Sequence, residues 1–306
     1  MLKIEVDIFS GRPNPVWFVT DPGETEKLIA SLSENKKALS KSNVGFSGLG
    51  FREIRIQVLA DEGLTKPRLP SEFSVGSTAA EDFKGSGEIA RRIVKSMPLD
   101  SKVILLEHGL TPLTVGLRDF VLENLERHIS DRPMTKAPKL KPTLRSLRKT
   151  INDERSAACQ YEISVFNPAF WNRPAVRPHN NCYNYGRNWR TDTFAQPGRA
   201  HGQQYASITC SAVTTAAMAD GLVKRGNCLP QSEYPRRLMA LVVGPGWDYH
   251  WYRHQQGGFW GHKPGGTAAR NYDNSGNVIT NPETCNRGGY TDFCGYFYAG
   301  RSVVIN

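Results

Sequence analysis

A chain of 306 residues exceeds one typical domain, and its 39% hydrophobic content with 28 glycines and 19 prolines suits a turn-rich globular protein, not a helical bundle or a disordered tail. The net charge of +10 is uneven: residues 1–131 hold 17 Lys/Arg against 19 Asp/Glu, and residues 132–306 hold 22 against 10. No stretch approaches the roughly 18 consecutive apolar residues that a membrane helix needs, so no membrane partner is expected.

The N-terminus, MLKIEVDIFSGRPNP, has acidic residues and a turn where a signal peptide would have its apolar core. It reads as soluble, either cytoplasmic or exported without a conventional signal. LKIEVDIFSG alternates apolar and polar residues and stops at a Gly-Arg-Pro-Asn-Pro turn, the pattern of a half-buried strand. REIRIQVLA repeats that alternation at 52–60, and two segments, GETEKLIASLSENKKAL and LTVGLRDFVLENLERHI, carry apolar residues at helical spacing. Residues 1–131 therefore read as a small α+β accessory domain with no cluster of catalytic residue types.

Residues 132–158 form a basic linker or arm, with 8 Lys/Arg against 2 Asp/Glu over 132–155. Such a segment is either a solvated spacer or a grip on phosphates. Beyond it, over 159–306, Asn, Gly, Tyr and Trp become frequent. QQYASITCSAVTTAAMADGLV predicts a small-residue helix, RRLMALVVG a buried strand, DYHWYRHQ a second strand and FWGHK a third, giving helices packed on an antiparallel sheet. The fold class expected for the whole chain is α+β.

All six cysteines lie after residue 158, and none forms a CxxC pair, which argues against a zinc ribbon or a redox motif. No metal or other cofactor is expected. The absence of an export signal favours reduced thiols, although an even count also suits disulfides, and the spacing of Cys285 and Cys294 permits one. Cys182, in RPHNNCYNYGRN, follows two good N-cap candidates, Asn180 and Asn181. At a helix start beside a base its thiol would be activated; the alternative is an inert structural thiol.

In DYHWYRH, period-two alternation puts His250, Tyr252 and His254 on one strand face and Tyr249, Trp251 and Arg253 on the other. A three-residue loop, 255–257, would set His250 opposite His262, whereas a four-residue loop would turn His262 away. Asp248 and Asn271 are alternatives for orienting the imidazole. Arg199 is a candidate for an anionic group on a substrate, and Trp251 and Trp260 for a substrate platform. Residues 271–282, NYDNSGNVITNP, resemble a calcium loop in composition but lack its terminal glutamate, and read as a polar hairpin turn.

A cysteine at a helix start, a histidine on a strand and a polar residue on the neighbouring strand resemble, in that order, the papain-like thiol hydrolase superfamily. The resemblance is in particular to the NlpC-type branch, whose third residue is often a histidine. The resemblance covers roughly residues 165–300 and implies Cys182 as nucleophile, His250 as general base and acid, and His262 as orienting residue. The chain departs from it in lacking the Gly-Ser-Cys-Trp surroundings and a glutamine a few residues upstream. Asn180 or Asn181, with the Cys182 backbone N–H, would then complete an oxyanion hole. The implied activity is peptidase, amidase or acyl transferase chemistry on a peptide or protein, with charge favouring an acidic substrate. The alternatives are a non-enzymatic effector module that recognises glycan or protein, and binding of an anionic polymer or nucleic acid through the basic arm.

Overall fold

The computed structural model describes residues 1–59, 69–99, 111–133, 149–153 and 156–306. Most of the basic arm thus lies outside the described residues. The chain is α+β and divides into two compact units, one of residues 1–9 and 13–135, the other of residues 10–12 and 136–306.

The first unit is built on an antiparallel sheet in the order β2-β1-β3-β4, with β1 Leu2–Asp7, β2 Val16–Val19, β3 Glu53–Val58 and β4 Glu72–Val75. The alternation read from LKIEVD is realised, because Leu2, Ile4 and Val6 are buried while Lys3 and Glu5 are partly exposed. Helix α1, Pro22–Glu34, starts where Asp21 accepts from the Glu24 amide and a proline occupies the first turn. Helix α2, Phe83–Lys95, was not anticipated, since its two glycines weaken the helical signal; Ile89, Ala90, Ile93 and Val94 nonetheless form one buried stripe. Helix α3, Val115–Asp131, is capped by Thr114.

Two buried groups in this unit make it sensitive to charge. Asp7 meets Arg52 at 2.7 Å and Arg55 at 2.8 Å. Burial alone would raise its carboxyl, but the two guanidinium groups outweigh that and hold it well below the carboxylate range. Asp7→Leu is expected to destabilise the unit by about 3–5 kcal/mol, read as a lower denaturant midpoint, because it strands buried positive charge. His128 lies among the rings of Phe46, Phe51 and Phe83, and burial pushes its imidazole down to about 4. The unfolded chain therefore takes up this proton first, and the contribution is lost as pH falls from about 6.5 towards 4, on the order of 3 kcal/mol. Unfolding curves at the two pH values should show this slope in the native chain and a shallower one in His128→Phe.

In the second unit a hairpin of β5 (Lys149–Asp153) and β6 (Ser156–Tyr161) precedes the short helices α4 (Pro168–Trp171) and α5 (Cys182–Arg187). Helix α6, Cys210–Ala219, is the small-residue helix expected. The remaining strands are β7 (Val223–Lys224), β8 (Arg237–Gly244), β9 (Asp248–His254), β10 (Trp260–His262) and β11 (Asp292–Ala299). They form an antiparallel sheet in the order β10-β9-β8-β11-β7. Strand β11 was unforeseen, because its Gly-rich lead-in reads as turn; it inserts between β8 and β7 with a bulge at Phe293/Gly295.

Four of the cysteines are oxidised, against the expectation of reduced thiols. Cys159 pairs with Cys228 and Cys210 with Cys294, so the Cys285–Cys294 bridge that spacing permitted is not made. Cys182 and Cys285 remain thiols. The loop after β10 is a polar hairpin as read: Tyr272 bridges Val278, and the Asp273 carboxylate accepts the amides of Ser275, Asn277 and Asn286. Among the described residues, no helix is long and apolar enough to cross a membrane, and no group of three or more His, Cys, Asp and Glu could hold a metal ion.

Candidate active site around Cys182, His250 and His262

Asn181 sets the position of Cys182. Its side chain accepts from the Tyr183 and Asn184 amides while Asn184 reaches back to the Asn181 amide, a complete capping box at the start of α5. The helix has only six residues, so its dipole lends the thiol little, and the predicted lowering does not occur. Burial, followed by the charge of Asp248, instead pushes the Cys182 thiol well above its ordinary value. Cys182 is fully buried, in a cluster with Met239, Leu241, Val243, Tyr249 and Trp251, the face of the sheet on which α5 packs.

The histidines come together on the opposite face. Strand β10 pairs Trp260 with His254 and His262 with Tyr252, so the loop between the strands is 255–259. It has five residues where three were foreseen; because both lengths are odd, His262 keeps its face, displaced by one pair along the strand. His250 Nε2 lies 2.8 Å from His262 Nδ1, and both rings pack on Tyr252. His262 Nε2 lies 3.0 Å from the Tyr272 carbonyl, which can only accept. Arg270 Nε, which can only donate, also lies 3.3 Å from His262 Nε2, so the two contacts favour opposite tautomers of His262. In the tautomer that serves the shorter Tyr272 contact, His262 Nδ1 accepts from His250 Nε2 and His250 Nδ1 is the basic nitrogen. Burial and the nearby Arg270 charge keep His262 neutral by pushing its imidazole well below the usual value.

Strand β10 ends at His262, opposite Tyr252, so it does not pair with residues 248–251 of β9. At this open edge the Cys182 thiol points to the Tyr249 carbonyl at 4.0 Å and meets the Trp251 N–H. The sulfur therefore abuts the backbone on either side of His250. The His250 side chain lies on the other face of that strand from the sulfur.

The other sequence candidates have different roles. The Asn180 side chain is engaged by Val176, Thr191 and Asp192. Asp248 does not orient His250; its carboxylate accepts the backbone amides of Ser10, Gly11 and Arg12 and the Tyr290 hydroxyl, while burial raises its pKa. Asn271 is buried and its carbonyl accepts the Ile279 amide. Arg199 donates to the carbonyls of Asn306 and Thr193. Trp251 is fully buried and packs on Tyr183 and Phe297, and Trp260 packs on His254 and Tyr296, so neither offers a substrate platform. Sequence reasoning missed Gln196, buried at the end of TFAQ and within hydrogen-bond reach of Tyr205 and Tyr249; it stands 14 residues after Cys182, whereas the papain-like order puts a glutamine upstream.

No family model and no solved structure matches the chain. Insoluble matrix shell protein 1 of Ruditapes philippinarum is 45% identical to it over 141 residues, 46% of this chain and 93% of that relative. With nearly the whole of that relative covered at this identity, the chain belongs to the family of insoluble matrix shell protein 1.

Proposed function

We propose that the second unit is a cysteine-dependent acyl-transfer module, a hydrolase or acyl transferase acting on an amide bond, that works outside the cell. The observation that carries this reading is the 2.8 Å His250–His262 bond on a strand whose open edge receives the Cys182 sulfur beside His250. His250 Nδ1 takes the thiol proton as sulfur attacks the substrate carbonyl; His250 then gives that proton to the leaving amine, and a thioester on Cys182 remains. Water completes hydrolysis, whereas an amine completes acyl transfer and forms a new amide. His262 fixes the tautomer and supports the imidazolium that forms between these steps. An acidic peptide or protein suits the basic charge of residues 132–306.

The extracellular setting is supported by the two disulfides, which persist in oxidising compartments, and by the similarity to insoluble matrix shell protein 1. An amine-resolved thioester is also a route to cross-linked, insoluble material.

A second reading, a non-enzymatic matrix module with an inert Cys182, is favoured by the complete burial of that thiol and its upward-shifted pKa. Incubation with a peptide thioester followed by intact-mass and peptide mapping separates the two. An acyl adduct on Cys182 that disappears in Cys182→Ser supports the enzyme, and a chain that stays unmodified after the site is opened supports the inert module.

A further inference from the structure

Within the second unit, the backbone of Ser10–Arg12 is held as a ligand would be. The Gly11 carbonyl oxygen accepts from Asn181 Nδ2 at 2.7 Å, Gln196 Nε2 at 2.8 Å and the Tyr249 hydroxyl at 3.0 Å. The Asp248 carboxylate takes the amides of Ser10 at 2.6 Å and of Gly11 and Arg12 at 3.1 Å. The Ser10 carbonyl accepts the Gly265 amide at 3.1 Å, and Arg12 Nη1 donates to the Trp247 carbonyl at 3.0 Å.

The three donors on the Gly11 oxygen are fixed before anything binds. Asn181 Oδ1 is occupied by the cap of α5, which aims Nδ2 at Gly11. Gln196 Oε1 accepts from the Tyr205 hydroxyl at 2.6 Å, which turns Nε2 the same way, and the Tyr249 hydroxyl lies 3.0 Å from both Gln196 Oε1 and the Gly11 oxygen. A neutral carbonyl has two lone pairs, and three aimed donors suit an oxygen that gains negative charge. The position is beside the nucleophile: Asn181 directly precedes Cys182, and the Tyr249 carbonyl that the sulfur meets is also what a Cβ on Gly11 would strike, at 2.5 Å.

We propose that Asn181, Gln196 and Tyr249 form the oxyanion subsite of the Cys182 centre, that Ser10–Arg12 plugs it in the resting chain, and that the displacing substrate is an extended peptide with glycine at the acyl position. The inference rests on the acyl-transfer reading above. The glycine requirement follows from the same close approach, because any side chain there meets the Tyr249 ring and carbonyl. The plug covers the Asn181 and Tyr249 side of a thiol that Met239, Leu241 and Trp251 enclose elsewhere.

The test uses the full chain and its Gly11→Ala and Arg12→Ala variants. Gly11→Ala forces the segment off Tyr249, and Arg12→Ala removes its bond to Trp247, so one probe remains if the other misfolds. With iodoacetamide and peptide mapping, Cys182 labelling is expected to rise at least about tenfold in either variant, with Cys285 as internal control. Folded variants that both label at the native rate overturn the plug. Adding Gln196→Ala to Gly11→Ala should slow acylation by a Ser-Gly thioester about 10²-fold while alkylation is unchanged, since only acylation builds an oxyanion. Equal acylation with and without Gln196 overturns the subsite, as does an alanine thioester reacting as fast as the glycine one. Opened chains that alkylate readily but are never acylated by either thioester refute the acyl-transfer reading and leave the plug as a cover alone.

Discussion

His250→Ala, made in a Gly11→Ala chain whose site is open, is expected to slow acylation of Cys182 by a glycyl thioester about 10²- to 10⁴-fold, the range for loss of a positioned general base. In the proposed mechanism His250 carries its proton on Nε2 towards His262 Nδ1, in the tautomer that serves the Tyr272 contact, and its other nitrogen carries the chemistry. His262→Phe keeps a ring beside Tyr252 but releases that tautomer, so it should slow acylation less than His250→Ala. Alkylation by a small reagent at high pH, where the thiolate forms unaided, should recover in both variants. A structural role for the pair would instead lower stability and slow every reaction of Cys182 alike.

Reduction of the two disulfides should have the largest effect on stability. Cys159–Cys228 and Cys210–Cys294 are separated by 69 and 84 residues, and in the chain-entropy account each closure is worth about 4 kcal/mol. They tie β6 to the loop after β7, and the start of α6 to β11, so both staple the unit that carries Cys182 and the histidines. Denaturant unfolding with and without a reductant, or of the two double Cys→Ala variants, should show a transition at much lower denaturant for the second unit. The first unit has no cysteines and should unfold where it did before.

Much of this was legible in the sequence wherever local periodicity carried the signal. DYHWYRH gave the strand and the shared face of His250 and His262, because alternation depends only on parity; the loop was two residues longer than foreseen and the face was unchanged. NNCYN gave the cap and the helix start, because Asn181 acts on amides two and three residues away. What stayed illegible is long-range. Nothing near Asp248 in sequence reveals that it holds amides about 237 residues away, and nothing near Gln196 ties it to Gly11. The effect of burial on Cys182 was hidden for the same reason: a capped helix start predicts an activated thiol, and only the packing of Tyr249, Trp251 and Met239 around it reverses the sign. Strand β11 was lost because its glycines serve a bulge and a bend, features that read as turn until the neighbouring strands are known.

The pairing of Cys182 with His250 is tested most directly by the pH dependence of Cys182 alkylation in the open Gly11→Ala chain, compared with Gly11→Ala/His250→Ala. Displacement of Ser10–Arg12 is expected to admit water on the Tyr249 side of the thiol and so to reduce the burial that keeps it protonated. A working pair gives labelling that persists well below about pH 7 and loses that acid limb when His250 is removed. A single titration near the ordinary thiol value of about 8.5, the same in both chains, would contradict the pairing.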